Sequence, residues 1–363
     1  MKKISYGQVG DNYDTKDPIK KLAQRAARQT IIKEPDFEEV SDSRGESAFV
    51  WEQDKKLMAA VVEGLGTKNL VADAMRNGSK TYYDVIGYDT VATIINDLIT
   101  VGAKPRVVLA YWAIEDNTWL EDKVRMTDFI NGWRDACKVS MATWGGGETP
   151  TLKGIVEKGT IDLGGSAVGI IQSKERLITD RKLKVGDRII LLKSNGINCN
   201  GLSLARAVAK KMHQGYDTKL PSGRTYGQAL LTTTNIYAKL IQDLLDSGVD
   251  IHYISNITGH GLRKIMRARG NFAYVIEKIF QPQEVFSFIQ KHANLSDDEI
   301  YQTLNMGQDY AIFIPAKDVA RTLEIIRKNK FGGLDAGYVE KGPRRVVIEP
   351  KHITFESETL DLR

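Results

Sequence analysis

The chain predicts an α/β fold with mixed sheets, divided into two domains, and three observations lead there. Its 363 residues exceed one hydrophobic core and fall short of three, so two domains of roughly 150 to 200 residues are expected. From Lys56 onward, short apolar runs of strand length alternate with stretches whose apolar residues recur at helical spacing, the pattern of alternating strands and helices. With 42% apolar residues, 27% charged residues and 9 prolines, the composition is that of a folded globule and excludes a disordered or fibrous chain. No repeat of fixed period is present, which excludes solenoids and propellers.

From Tyr6 to Asp54 the sequence is polar and irregular, with one basic amphipathic stretch, Ile19 to Thr30, that suits a helix. This is the expected N-terminal arm, residues 1–55. The first domain, 56–175, opens with the apolar run Lys56 to Glu63, read as a buried strand entering a tight glycine loop. Tyr83 to Tyr88 reads as a short strand, Asp89 as an N-cap and Thr90 to Val101 as the helix it starts. Arg106 to Ala113 is a strand, Leu120 to Val139 a long helix, and Met141 to Trp144 a short buried strand running into Gly145-Gly146-Gly147-Glu148. Leu163 to Gln172 completes the domain. Ser173 to Asp187, charged and ending in a turn signal, is the linker. The second domain, 176–363, begins with the strand Arg188 to Leu192, a polar Gly/Asn loop and a helix from Leu202 to Met212. A helix over Tyr226 to Asp246, a strand Ile251 to Ile254, a glycine loop and a helix Leu262 to Ala268 follow. Strand Phe272 to Val275, helix Glu284 to His292, strand Ala311 to Ile314, helix Val319 to Lys328 and strands near Ala336 to Val339 and Arg345 to Ile348 complete the alternation.

The net charge of +5 is spread without a block of like charge, which favours anionic small molecules over a nucleic-acid lattice. Cys137 and Cys199 have neither a CxxC partner nor a paired histidine, so no zinc site and no disulfide framework are expected, and a reducing cytoplasm fits. Apolar stretches such as Met58 to Val62 and Ala311 to Pro315 are far shorter than the ~20 residues of a membrane span, and Met1 to Thr30 is polar, so neither membrane passage nor secretion is expected.

Five segments carry candidate chemistry. In Glu63-Gly64-Leu65-Gly66-Thr67-Lys68 two glycines let the backbone approach a ligand, Lys68 offers a charge to phosphate, and Glu63 suits magnesium. The spacing is neither a Walker A loop nor a dinucleotide fingerprint, and taken alone the segment is a phosphate cradle or an ordinary turn. Asn96 and Asp97 sit among Ile94, Ile95, Leu98 and Ile99, so at least one polar group lies near the buried face and needs a partner. Asp89 and Asn96, seven residues and about 10.5 Å apart along a helix, align on one face but cannot share one metal, and are expected to touch different parts of a ligand. Gly145 to Thr149 offers a glycine surface with Glu148 placed for a metal or an amine. Asn195 to Gly201 and Thr258 to Gly261 each follow a strand and precede a helix, where phosphate is bound readily.

In this order the segments resemble one family over essentially the whole chain, the aminoimidazole ribonucleotide synthetases, or phosphoribosylformylglycinamidine cyclo-ligases. The family's T-D-G-V-G-T-K is met by Val62 to Lys68. Its I-G-x-D-x-V-A-x-x-x-N-D-L-x-x-x-G-A-x-P is met by Ile86-Gly87, Asp89, Val91-Ala92, Asn96-Asp97-Leu98, Gly102-Ala103 and Pro105. Its G-G-E-T is met by Gly146 to Thr149, S-x-G-x-x-x-N-G by Ser194 to Gly201, and L-T-G-G-G by Ile257 to Gly261; Asn305-Met306-Gly307 and Arg345 to Glu349 match near the end. The resemblance implies a two-domain α/β protein of the ATP-dependent cyclo-ligase superfamily whose first-domain sheets pair across a homodimer. It implies ATP and magnesium as cofactors and formylglycinamidine ribonucleotide as the small-molecule partner, with neither nucleic acid nor membrane. By matching positions, it makes Glu63, Asp89 and Glu148 the magnesium carboxylates. Gly64, Leu65, Gly66, Thr67, Lys68, Asn96, Asp97, Gly146 and Gly147 become ATP contacts, and Ser194, Asn200, Gly201, Thr258, Gly259 and Gly261 contacts to the substrate phosphate. Lys68, Asn198 and His260 are the catalytic set.

The chain departs from the family pattern at several positions. Glu63 stands for an aspartate. Asn198 and Asn256 stand where the family carries histidines, and an asparagine hydrogen-bonds but moves no proton near pH 7. Arg44-Gly45-Glu46-Ser47 is all that remains of a glycine-rich stretch, and Gln308-Asp309 replaces a small or glycine pair. These changes bear on the substrate more than on ATP use. They leave two other readings open, a divergent member of the superfamily acting on another substrate and a non-catalytic nucleotide-binding subunit.

Overall fold

The computed structural model describes residues 3–4, 7, 13–78 and 80–360; the remaining parts of the expected arm and the last three residues of the expected second domain lie outside the described residues. Helix α1 (Tyr13–Ala27) leads into strands β1 (Phe37–Glu39), β2 (Phe49–Gln53) and β3 (Lys56–Gly64), then α2 (Asn69–Met75), α3 (Tyr83–Leu98), β4 (Lys104–Ile114), α4 (Lys123–Val139), β5 (Thr143–Glu148) and β6 (Ile161–Ile171). The six strands form one sheet in the order β1-β2-β3-β6-β4-β5, antiparallel except for the β4–β5 pair. The segment read as an irregular arm therefore supplies two strands, because Phe49 to Gln53 pairs with β3.

Helices α3 and α4 cover one face of this sheet. They cross so closely that a Cβ on Gly87 would stand 2.2 Å from the Phe129 carbonyl oxygen, and one on Gly132 1.9 Å from that of Asp84. Gly87 thus serves packing, not a break, and the expected strand, cap and helix over 83–101 are one helix with Asp89 inside it. Beneath the crossing, Trp112, Phe129 and Trp133 pack edge to face, with ring centroids 4.7 Å apart for Trp112 and Phe129 and 5.3 Å for Trp112 and Trp133. The other face is not covered among the described residues. Strand pairing aligns Ala60, Val168 and Val107 in one row, Val62, Ser166 and Leu109 in the next, and Gly64, Gly164, Tyr111 and Glu148 in a third; aligned residues share a face, and Val62 is 77% exposed. The short strand expected to be buried at Met141 to Trp144 is the largely exposed β5, at the sheet's edge.

The second domain contains β7 (Arg188–Lys193), α5 (Leu202–Lys211), α6 (Tyr226–Leu230), α7 (Ala238–Asp246), β8 (Tyr253–Asn256), β9 (Phe272–Ile276), α8 (Glu284–Ala293), α9 (Asp297–Tyr301), β10 (Gln308–Ile314), α10 (Val319–Lys328), β11 (Gly333–Lys341), β12 (Arg345–Ile348) and β13 (Ile353–Glu356). Its seven strands run in the order β13-β12-β9-β11-β7-β10-β8, and only β12–β9 is parallel. Strand β10 is buried along its whole length. The single helix expected over 226–246 is two. Helix α6 starts on a capping box of Thr225 and Gln228 and stops before Thr232-Thr233-Thr234-Asn235, residues that favour extended or capping geometry over helix. The expected helix Leu262 to Ala268 is a 3-10 turn, Gly261–Met266, and Ile251 to Ile254 pairs as a strand only from Tyr253.

Candidate functional site

The two domains meet along α3, and its polar residues make the seam. Asp89 and Asn96 do share a face, and what that face meets is the chain itself, the extended segment 231–237. Asp89 accepts the Thr234 N–H through Oδ1 at 2.8 Å and pairs with Lys68 through Oδ2 at 2.5 Å. Lys68 also donates to the Thr232 carbonyl at 2.9 Å, and both ionic side chains are 0% exposed. Asn96 donates to the Asn235 carbonyl at 2.7 Å and accepts the Tyr237 N–H at 3.1 Å. Lys68, Asp89 and Asn96, expected to hold ligand, thus hold one domain to the other. A buried pair of this kind contributes little net stability by its attraction, yet stranding either partner is costly.

One residue on, Asp97 faces a cavity of about 330 Å³ at the junction of the domains. Glu63, from the end of β3, hydrogen-bonds to Asp97 and has its pKa raised far above the usual carboxylate range, by burial first and then by the Asp97 charge. The second domain contributes Asn200, Thr258, Gly259, His260 and Lys264 to the same walls. The Lys264 ammonium donates to Thr258 Oγ1 at 2.5 Å. Burial and then Arg267 lower its pKa, opposed by the carboxyls of Asp97 and Glu63. Asn256 donates to Asp97 Oδ1 at 2.7 Å, fixing the side chain that receives Glu63.

His260 is buried, with φ +69, and its Nε2 lies 3.3 Å from Asp17 of α1. That neighbour favours a charged ring. Burial and the cations Lys264, Arg263 and Lys20 outweigh it and push the pKa down to about 2, so the ring is neutral near pH 7 and hydrogen-bonds without serving as an acid. Lys20, Gly45, Glu46 and Ser47 close the cavity from the N-terminal side, and Arg267 clamps that loop by donating to the Gly45 carbonyl at 2.7 Å and to Ser47 at 2.8 Å. The sequence reading missed Lys20, Lys264 and Arg267. Their only signal was a basic helix and two cations just past the Thr258 to Gly261 loop.

Other expected contacts lie elsewhere. Gly146, Gly147 and Glu148 are on the exposed edge strand β5. Glu148 shares a row with Gly64 on the uncovered face, three strand spacings or about 14 Å away, whereas Glu63 belongs to the alternate face. The Leu65 N–H is spent on the Leu163 carbonyl, and Gly66 takes the positive φ, +73, that its loop requires. Ser194 is buried and donates within its own loop, to the Gly196 carbonyl at 3.1 Å. Gly201 and Gly261 let segments approach, since a Cβ would stand 2.1 Å from Leu304 and 2.3 Å from the Tyr301 carbonyl oxygen respectively. Asn198 faces Asp309, 2.7 Å away.

The three carboxylates expected to bind magnesium are not brought together. Asp89 has both oxygens engaged within the protein, Glu148 is on the opposite face of the sheet from Glu63, and Glu63 is bonded to Asp97. Among the described residues no group of three His, Cys, Asp or Glu side chains is disposed to hold a metal ion, and no helix is long and apolar enough to cross a membrane. Both cysteines are buried free thiols.

Comparison with known proteins matches residues 45–171 to the N-terminal domain of AIR synthase related proteins and residues 184–349 to their C-terminal domain. The chain is 29% identical over 338 residues to a phosphoribosylformylglycinamidine cyclo-ligase of Methanococcus maripaludis, covering 93% of this chain and 92% of that protein. It is 32% identical over 270 residues to the Methanosarcina acetivorans protein of the same name, covering 74% and 77%. Among solved structures, the fold is similar to a HypE–HypF complex chain (TM-score 0.64, 18% identity, 94% of this chain and 99% of that one). It is also similar to AaThiL complexed with AMPPCP and TMP (TM-score 0.60, 14% identity, 93% and 94%).

Proposed function

We propose, on the premise that this chain belongs to the AIR synthase related protein family, that it is an ATP-dependent cyclo-ligase. It closes the imidazole ring of formylglycinamidine ribonucleotide, a step of purine biosynthesis in the cytoplasm, to give aminoimidazole ribonucleotide, ADP and phosphate. The observation that carries this reading is the convergence on one cavity of family-motif residues from both domains, Glu63 and Asp97 from the first and Asn200, Thr258, Gly259 and His260 from the second. The cyclo-ligase relatives that align over up to 93% of the chain support the reaction.

In this reading the γ-phosphoryl group of ATP passes to the amide oxygen of the substrate. The amidine nitrogen then attacks the activated carbon, the carbon–oxygen bond breaks and phosphate leaves. Such a transfer needs positioning and charge neutralisation more than a protein nucleophile. Lys264 and Lys20 supply positive charge at the cavity, and Thr258 with Gly259 positions phosphate oxygens. Glu63, whose pKa burial and Asp97 raise to about 8, takes up in its ionised form the proton the amidine gives away, a task for which Asn198, Asn256 and a His260 with its pKa lowered to about 2 are unsuited. No step is assigned to a magnesium ion bound by the protein's own carboxylates.

The uncovered face of the first sheet supports the homodimer. Val62, Leu109 and Tyr111 are 77%, 41% and 40% exposed and lie in adjacent rows with Ala60 and Val168, a continuous apolar surface suited to a second copy of itself. The deciding experiment mixes purified protein with magnesium, ATP and formylglycinamidine ribonucleotide and follows ADP and aminoimidazole ribonucleotide together. Equal formation of both is expected. ATP binding without either product would transfer the assignment to a superfamily member with another acceptor.

A further inference from the structure

Helix α1 docks by its polar side. Among its residues 15–27 none is buried, and its two large apolar side chains, Ile19 and Leu22, are 63% and 61% exposed. The partly covered positions are Asp17, Lys21, Gln24 and Ala27, which fall on one face of a helix. A surface helix ordinarily docks by an apolar stripe. Helix α1 turns a mainly polar one to the body and so gains little from burial. Short helices are marginal without such packing, and exposed ionic contacts add little to hold them.

Under that face lies the cavity between the domains. Lys20 and Gln24 line it, and Asp17 tethers the helix there, 3.3 Å from His260 Nε2 and 3.3 Å from Lys20 Nζ. The Lys20 side chain is 50% exposed while it lines the cavity, so the cavity meets solvent beside α1. The carboxyls of the walls are engaged with other wall groups and their neighbours. Glu63 is bonded to Asp97, and Glu46 accepts the Tyr253 hydroxyl at 2.9 Å and lies 3.7 Å from Arg267. Lys264 from the second domain and Lys20 from α1 bear on the same place, and the charge of Lys20 reaches both Lys264 and His260. With no anion between them, the two ammonium groups work against docking of α1. An anionic group seated at Thr258 and Lys264 reverses this, because Lys20 then has an opposite charge to meet.

We propose that α1 is a strap that a phosphate-bearing ligand draws closed over the cavity, with Lys20 as the residue that meets the bound anion, and that the ligand enters when the strap lifts. The inference rests on the cyclo-ligase reading for the identity of that ligand, formylglycinamidine ribonucleotide. Lifting α1 removes Asp17, Lys20 and Gln24 and leaves the walls built from Glu63, Asp97, Thr258 and Lys264 in place. The site therefore opens without parting the domains, which the buried Lys68–Asp89 pair holds together. Closed, the strap keeps water from the phosphoryl transfer.

The test follows amide hydrogen exchange along the full chain of wild type, Lys20→Ala and Leu22→Ser. Each protein is measured free and with formylglycinamidine ribonucleotide, ATP or inorganic phosphate, and turnover is measured alongside. In free wild type the amides of 13–27 are expected to exchange much faster than those of α3. The ribonucleotide is expected to slow them about tenfold, the scale of one charge-assisted hydrogen bond. Lys20→Ala is expected to lose that slowing and to raise the ribonucleotide KM by about the same factor, whereas Leu22→Ser changes neither. Protection of 13–27 in the free protein equal to that of α3 would overturn the inference, as would exchange there that no added anion slows in a protein that turns over; both leave the cyclo-ligase reading intact. Slowing in Lys20→Ala equal to that in wild type would overturn the role of Lys20. Slowing by an added anion without turnover of the ribonucleotide would support the strap and overturn the cyclo-ligase reading, and absence of both would overturn both.

Discussion

The Lys68 ammonium lies 2.5 Å from the Asp89 carboxylate with both side chains excluded from solvent, and the pair is closed by the Thr234 N–H and the Thr232 carbonyl of the other domain. Two residues whose types suggest phosphate and metal are thereby the lock between the domains. Removing one partner strands a buried charge, so Asp89→Ala and Lys68→Ala are each expected to cost about 3–5 kcal/mol. Replacing both, as Lys68→Met with Asp89→Leu, should cost much less. Urea unfolding of the three proteins checks this, and two single variants as stable as wild type would refute the lock.

Glu63 should behave in the opposite way. It shares a hydrogen bond with Asp97 while burial and that neighbour oppose its charge, so Glu63→Gln keeps the shape and removes an ionisation the fold resists. Unfolding stability is expected to be unchanged or higher while ATP turnover falls by about 100-fold, the scale of a lost acid–base group. A stable variant with full turnover would remove Glu63 from the chemistry.

A charge on the uncovered sheet face should split the proposed dimer. Val62→Glu, and Leu109→Glu in the same row, place carboxylates opposite their own copies. Light scattering during gel filtration is expected to report a dimer for wild type and monomers for both variants. A wild-type monomer at micromolar concentration would count against the pairing.

His252 gives the second domain a pH-dependent tie. Its Nδ1 lies 2.7 Å from Asp187 and its Nε2 3.1 Å from Asp250. Burial opposes a charged ring, but these two carboxylates more than offset it and raise the His252 pKa above its ordinary value. Asp250 moves the other way, because its own partial burial is outweighed by the bond to His252. The histidine contribution is therefore complete below about pH 6.5 and lost as pH rises through the higher folded value. That of Asp250 is present above about pH 3.9 and lost as pH falls below it. The stability difference between wild type and His252→Gln should be larger at pH 5.5 than at pH 8.5 in paired urea titrations; a difference that grew with pH would contradict the assignment.

Periodicity and turn chemistry made much of the fold legible. The strands over 56–64, 104–114 and 188–193 and the helices over 202–211 and 319–328 lie where apolar spacing places them, because each buries one face against a sheet or helix and its own residues record that burial. The segment 83–89 and the run 232–235 misled for the same reason in reverse. A short apolar run followed by an aspartate reads as a strand and a cap until the crossing helix that packs on it is known, and four polar residues interrupt a helix only when the backbone has a use for the gap. Here that use is to present Thr234, Asn235 and Tyr237 to α3.

The sequence by itself determined the family, the two-domain α/β plan and five polar residues around the cavity, Glu63, Asp97, Asn200, Thr258 and His260, since these follow from short-range spacing and ordered motifs. What the tertiary structure alone decided is which of those residues remain available to a ligand. Asp89, Asn96 and Lys68 are no less conspicuous in sequence than Glu63 and Asp97, and only the folding of the second domain against α3 engages the first three and leaves the last two at a cavity. Asp309 became visible as the partner of Asn198 by the same means. Hydrogen bonds between side chains 100 or 200 residues apart leave no periodic trace, because the chain separation that defines them is set by topology and not by the repeat of any helix or strand.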